Sequence, residues 1–297
     1  MFAPDTPART RTQVMLVLLA AVVGISTSAV LVKRMEAGPI AVAAWRCLGA
    51  SMLLAPATAA ELGRLSRSDA TRLVLAGTAL AGHFVVWFAS LQHTTVLRST
   101  LLVCTTPVWA AAIDMVLSRV PPSRQWLLGL TVALPGVGLM TTGGAVGEAS
   151  LTGDGLALLG AVLAAIYLRL GQAVRQRVGT SASMGAMCAV AAAVVFAATG
   201  VADTQLVGWS WETWALIAGA VLGPQLVGHQ GFTYAVRWVP ASTVALVVLL
   251  EPVGAALLAV AVLGEVPPAL AWLGAALVLL GVGLATRAPA PRPPVAA

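Results

Sequence analysis

Charge is what this sequence has least of. Of 297 residues only 9% are Asp, Glu, Lys or Arg, where an average soluble protein carries about 25%. A water-soluble globule of this length needs a polar skin over its core. Seventeen basic and 11 acidic residues set between long apolar runs cannot supply one. Cysteine is equally sparse: Cys47, Cys104 and Cys188 lie inside apolar runs, with no CxxC pair and no Cys/His cluster. They read as packing residues, which excludes a disulfide scaffold and a zinc site. There is no Walker A sequence, HExxH, GxSxG or dinucleotide glycine fingerprint. An enzyme or an ATP-driven pump is therefore not expected, nor is any cofactor or metal.

What fills the chain is hydrophobic length, with 59% apolar residues. About 30 Å of hydrocarbon crossed at 1.5 Å per residue calls for runs of about 20 residues. Ten such runs are read at 13–32, 39–59, 73–91, 99–117, 123–142, 153–173, 181–199, 211–236, 241–263 and 268–286. The first follows Arg9 and Arg11, is too long for a signal-peptide core and has no polar mature domain after it, so it reads as a membrane span. The lipid bilayer is the solvent. The net charge of +6 is spread along the chain rather than gathered in a patch, so nucleic acid is not an expected partner.

Lys and Arg are retained on the cytoplasmic side during insertion, so loop charge gives orientation. With the N-terminus inside, the inner segments hold Arg9, Arg11, Arg64, Arg67, Arg72, Arg119, Arg124, Arg175, Arg177, Arg237, Arg287 and Arg292. The outer segments hold only Lys33, Arg34 and Arg98. Both termini are thus expected in the cytoplasm, with the protein in the cell membrane.

The halves are related. Pro107-Val108 recurs as Pro252-Val253, Pro121-Pro122 as Pro267-Pro268, Trp126 as Trp272, and Gly136-Val137-Gly138-Leu139 as Gly281-Val282-Gly283-Leu284, at offsets of 145, 146, 146 and 145. Five spans per copy is odd, so the second copy lies upside down. The expected fold is therefore an all-α integral membrane protein, with ten transmembrane helices in two inverted five-helix repeats. The expected divisions are a cytoplasmic segment 1–12, a first repeat 13–142, an external linker 143–152, a second repeat 153–286 and a disordered cytoplasmic tail 287–297. Inverted repeats suit alternating access, which makes a transporter of small molecules the expected function.

These residues also carry a resemblance. Gly24-Ile25-Ser26-Thr27-Ser28 and Lys33 in the first span, Ala44-Trp45-Arg46 in the second, Leu250-Glu251-Pro252 in the ninth and Gly264-Glu265 at its end resemble the drug/metabolite transporter superfamily, EamA type. The resemblance runs over roughly 13–286. It implies a ten-helix transporter of a family whose members export amino acids, other metabolites or toxic organic compounds or exchange substrates across organelle membranes, with spans one to four and six to nine around the substrate and spans five and ten peripheral. The first repeat departs from the pattern, with Thr106-Pro107 opposite Glu251-Pro252 and Ser118-Arg119 where a Gly-Glu pair is usual.

A charge retained inside a bilayer costs about 2.5–3.5 kcal/mol on insertion scales, so each one asks for a reason. Arg46 is seven residues into the second span. It reads either as an anion-binding or gating residue on a cavity, or as a carbonyl cap that fixes packing. Arg169 reads as a snorkelling interface residue and Asp114 as an interfacial or helix–helix contact. His83 and Trp87 share one face of the third span, and Gln225, His229 and Thr233 share one face of the eighth. His83 and His229 differ by 146 residues, as pseudo-symmetric partners would. Gln230 and Tyr234 add hydrogen-bonding groups, while Gly223-Pro224, Gly228 and Gly231 loosen the eighth helix. Six tryptophans (Trp126, Trp209, Trp211, Trp214, Trp238 and Trp272) fall near span ends as an interfacial belt. Trp45, Trp87 and Trp109 are deeper and either line a cavity or pack in the core. Glu251 stands at the midpoint of the ninth span, where it must be protonated, paired with a cation such as Arg46, or facing water. Each option suits transport, and an unpaired Glu251 suits coupling to protons. The expected reading is a secondary exporter of amino acids or related metabolites. The alternatives are organic-cation efflux and, from another class, a lipid-processing membrane enzyme or a sensor.

Overall fold

The computed structural model describes residues 1–2, 6–93, 99, 102–119, 121–140, 150–200, 204–258, 260–261 and 268–287. Most of the expected linker, the tail from 288 onward and the Gly264-Glu265 pair lie outside the described residues. The described elements are α1 (Ala8–Lys33), α2 (Pro39–Leu62), α3 (Arg67–His93), α4 (Thr106–Ser118), α5 (Arg124–Met140), α6 (Leu151–Val174), α7 (Thr180–Thr199) and α8 (Trp211–Ala220). After α8 come a π-helical segment Val221–His229, α9 (Gln230–Ala235), α10 (Ala241–Val248), α11 (Glu251–Leu258) and α12 (Ala269–Arg287). Among the described residues seven helices are long and apolar enough to cross a membrane, with α10 and α11 counted as one. The protein is a helical, multi-pass membrane protein.

Where these elements start and stop follows local chemistry. The third apolar run begins at 73, yet α3 begins at Arg67. Ser66 Oγ accepts the Asp69 amide at 3.0 Å and donates to Asp69 Oδ2 at 2.8 Å, a reciprocal cap that starts the helix in the charged loop. The same cap opens α8, where Ser210 Oγ accepts the Thr213 amide at 3.4 Å. Pro224 has no N–H to donate four residues back, and the chain relaxes into the π turn: the Gln230 amide reaches Gln225 O, five residues earlier. The expected ninth span, 241–263, breaks at Leu249-Leu250, just before Glu251-Pro252, because Pro252 lacks the amide that would continue the ladder. Cys104-Thr105 makes the same break before Thr106-Pro107, 145 residues earlier.

Lipid offers no hydrophobic drive between helices, so small residues that let backbones approach carry the packing. Helix α2 packs on α7, α3 on α6, α1 on the π segment and α11, and α5 on α12. In the last pair a carbon added at Gly136 would lie 2.7 Å from Gly274 O, and one at Gly274 2.5 Å from Gly136 O. Gly129 and Gly281 meet in the same reciprocal way. Gly24 of α1 lies against Gly223 and Gly228 of the π segment, where a methyl would stand 2.9 Å from the Gly228 amide.

Charge gathers at the two ends. At one, Asp69 accepts both Arg177 Nε, at 3.1 Å, and Arg177 Nη2, while Glu61 accepts the Gly179 amide at 2.8 Å. At the other, Arg34 meets Glu212 at 3.3 Å and Glu36 accepts the Ser210 amide at 3.1 Å. Arg169 Nε stands 2.8 Å from Asp114 Oδ1, tying α6 to α4 as an ion pair whose geometry is off the N–H direction, so Asp114 makes a helix–helix contact. Trp126 is buried rather than in a belt, and Trp109 turns outward, its indole donating to Thr105 Oγ1 at 3.1 Å.

Candidate functional site

A cavity of about 700 Å³, counting the space at its mouth, opens among α1, α2, α3, α4, α6, the π segment with α9, and α10 with α11. Helices α5 and α12 contribute nothing to its wall. Neither does α7, which was expected to take part. Its place beside α2 is filled by alanine, Met184, Met187 and Cys188, all buried in the helix contact.

Five of the eight candidates from the sequence line this space: Arg46, His83, Trp87, His229 and Glu251. Arg46, 1% exposed, enters from α2 about 10 Å along the helix from Pro39. Its Nε donates to Gln225 Oε1 at 2.8 Å, and the guanidinium carbon sits 4.6 Å from the centre of the Phe84 ring. Arg46 Nη2 is buried with no hydrogen-bond partner among the described residues. No carboxylate lies within 4 Å of it among the described residues, so the pairing with Glu251 anticipated as one option is not made here.

The histidines are held by different partners. His83 Nδ1 lies 2.9 Å from Gly160 O, which can only accept, so this nitrogen carries the proton and Nε2 is the free acceptor. Its ring stacks on Trp87 at 5.6 Å, and the Trp87 indole N–H is buried without a partner among the described residues. His229 Nδ1 meets the Tyr167 hydroxyl at 2.9 Å, and its ring stands edge-on to Phe84 at 5.4 Å. Phe84 thus lies against Arg46, His83 and His229 together.

Glu251 is the first residue of α11, with its carbonyl accepting a hydrogen bond from Ser26 Oγ of α1 at 3.2 Å and its side chain on the cavity. Gln225 lies one layer behind the wall. Gln230 points away to Ser181 Oγ of α7 at 3.0 Å, and half-buried Tyr234 packs on the core outside the cavity. Sequence reasoning passed over Tyr167, Ser28, Phe84 and Phe232. Tyr167 had a signal, since it is one of two tyrosines in the chain and falls inside an apolar run. Among the described residues no three His, Cys, Asp or Glu side chains gather to hold a metal.

Much of the wall comes in pairs from the two halves. Val103 and Val248, Cys104 and Leu249, and Thr106 and Glu251 are each 145 apart; Trp87 and Phe232 are 145 apart and His83 and His229 146. Residues 12–142 and 151–287 each match the model of one family, the EamA-like transporter family. A protein of Bacillus subtilis (strain 168), described as the uncharacterized transporter YwfM, is 27% identical over 266 residues, 86% of each chain. A crystal structure of another protein superposes with a TM-score of 0.79 at 18% identity, over 93% of this chain and 97% of that one, which is a likeness of fold.

Proposed function

The chain belongs to the EamA-like transporter family, and on that premise we propose that it is a secondary transporter that exports small metabolites, amino acids or related compounds, across the cytoplasmic membrane by alternating access. In this reading residues 13–142 and 153–286 are two inverted five-helix repeats, 143–152 an external linker, and both termini cytoplasmic. The observation that carries it is the paired lining of the cavity. A void walled by equivalent residues from both halves, next to broken helices at Thr106-Pro107 and Glu251-Pro252, is what an inverted repeat needs to expose one site to each side in turn. Reciprocal glycine contacts between α5 and α12 support the same axis, since Gly129 and Gly274 are 145 apart, as are Gly136 and Gly281. Twelve basic loop residues against three support the orientation. Glu251, on the cavity and without an ion pair among the described residues, suits proton coupling.

Trp87 and Glu251 on the wall favour a second reading, efflux of organic cations. Reconstituted vesicles decide between them. Amino acids and organic cations are offered singly under imposed pH gradients, and accumulation of amino acids is expected. Movement of cations alone moves the conclusion to the second reading, and movement of no solute under any gradient overturns both.

A further inference from the structure

Gln225 is fully buried in the π segment and does not touch the cavity, yet it holds the group that does. Its Oε1 accepts from Arg46 Nε at 2.8 Å. Among the described residues its amide nitrogen has only sulfur to donate to, Cys188 Sγ at 3.3 Å and Met184 Sδ at 3.6 Å. Sulfur is a weak acceptor, so the guanidinium decides which way the amide faces, with oxygen toward Arg46 and NH₂ toward the sulfurs. Phe84 covers one face of the guanidinium, and Nη2 is left buried and without a partner among the described residues.

The arrangement is unusual in what it withholds. A buried arginine is ordinarily matched by a carboxylate, because an unpaired charge in a low-dielectric interior is costly. Here the nearest fixed acceptor is a neutral amide of the same length as glutamate. Glu251, on the same cavity, stays beyond ion-pair distance. The π turn that accommodates Pro224 also sets the helical register of Gln225, which follows Pro224 directly. A guanidinium with Nε anchored and Nη2 unused offers a directed donor to a planar oxyanion, and the missing counter-charge would arrive with the solute.

Resting on the transport reading above, we propose that Gln225 is a positioning residue that aims Arg46 at a carboxylate on the solute and, by being neutral, leaves the arginine's charge for that carboxylate to meet. Gln225→Glu keeps the length and the acceptor oxygen but supplies an internal counter-ion. Gln225→Met keeps the length and removes the acceptor.

The test uses the purified full chain in vesicles and in detergent, with L-phenylalanine and phenethylamine, and L-leucine and isopentylamine, as matched pairs that differ by the carboxylate. Transport gives KM and kcat, and ligand-dependent shifts of the unfolding midpoint give binding without transport. For Gln225→Glu the expected result is a KM for the amino acid raised at least about tenfold, equivalent to about 1.4 kcal/mol, with the amine's KM little changed. For Gln225→Met, KM for the amino acid rises while kcat holds. Equal losses for both members of a pair, or none for either, overturn the positioning role. If Gln225→Glu does not fold, Gln225→Met decides alone, and an unchanged amino-acid KM there overturns the proposal. Wild-type vesicles that move neither member of any pair refute the amino-acid reading of the transporter on which the proposal rests.

Discussion

Replacing Gly136 with alanine adds one carbon where two backbones already touch. That carbon would lie 2.7 Å from Gly274 O, 2.9 Å from Leu277 Cβ and 2.9 Å from the Val278 amide, all closer than ordinary contact and none the free end of a flexible side chain. Helices α5 and α12 must therefore separate. Inserting a methyl into a packed site costs about 1–3 kcal/mol, while alanine in place of glycine returns about 1 kcal/mol of helix propensity. Gly138 provides the control on the same helix, because a carbon added there meets nothing within 4 Å. Gly138→Ala should raise stability and Gly136→Ala should lower or fail to raise it. The difference between them is the overpacking cost, about 1–3 kcal/mol. At roughly 2–4 °C per kcal/mol this is a gap of about 2–12 °C in unfolding midpoint, readable by intrinsic fluorescence in detergent. Gly281→Ala and Gly283→Ala should repeat the contrast in the second half, since a carbon added at Gly281 would lie 2.5 Å from Gly129 O and one added at Gly283 meets nothing within 4 Å. The double Gly136→Ala, Gly281→Ala should cost less than the sum, as one separation relieves both clashes. Equal midpoints for Gly136→Ala and Gly138→Ala would refute the close-packed seam.

Glu251→Gln keeps shape and the Ser26 tether to the backbone carbonyl but cannot ionise. It should insert and unfold like the wild type while losing proton-driven accumulation, and accumulation with unchanged pH dependence leaves Glu251 a packing residue. Moving the carboxylate to its equivalent, Thr106→Glu with Glu251→Thr, should recover part of the pH dependence that Glu251→Thr alone loses, because both positions face the cavity. Single cysteines introduced at Arg64 or Leu65, between α2 and α3, in a background without the native three, should resist an impermeant reagent applied outside; labelling there inverts the orientation.

The long apolar runs and the loosening at Gly223-Pro224 were legible in the sequence, whereas the Ser66 cap that starts α3 at Arg67 and the break at Leu249-Leu250 were not read from it. Arg46 stood out for its charge, Glu251 for its proline, and the histidines for their spacing; all four reach one cavity because the helices cross there. What was hidden depends on crossing geometry. Tyr167 joins the site only because α6 packs along α3 close enough to the π segment for its hydroxyl to find His229. Gln230 and Tyr234 follow Gln225 and His229 by sequence spacing, but they turn away. Trp109 sits at a depth that fits a cavity, and nothing in the sequence says which side of α4 meets lipid.

The cavity's two charges come from different halves. Arg46 and Met187 each stand eight residues after the glycine, Gly38 or Gly179, that caps its helix, and Glu251 corresponds to Thr106. Two copies of the first half would bring a pair of arginines and no carboxylate to these positions. Two copies of the second would bring a pair of carboxylates and no arginine. A protein assembled from identical halves could therefore share this architecture and still meet its cargo with one sign of charge. Joining two diverged copies in a single chain gives the cavity one cation and one acid, and so a head and a tail that a symmetric ancestor would have lacked.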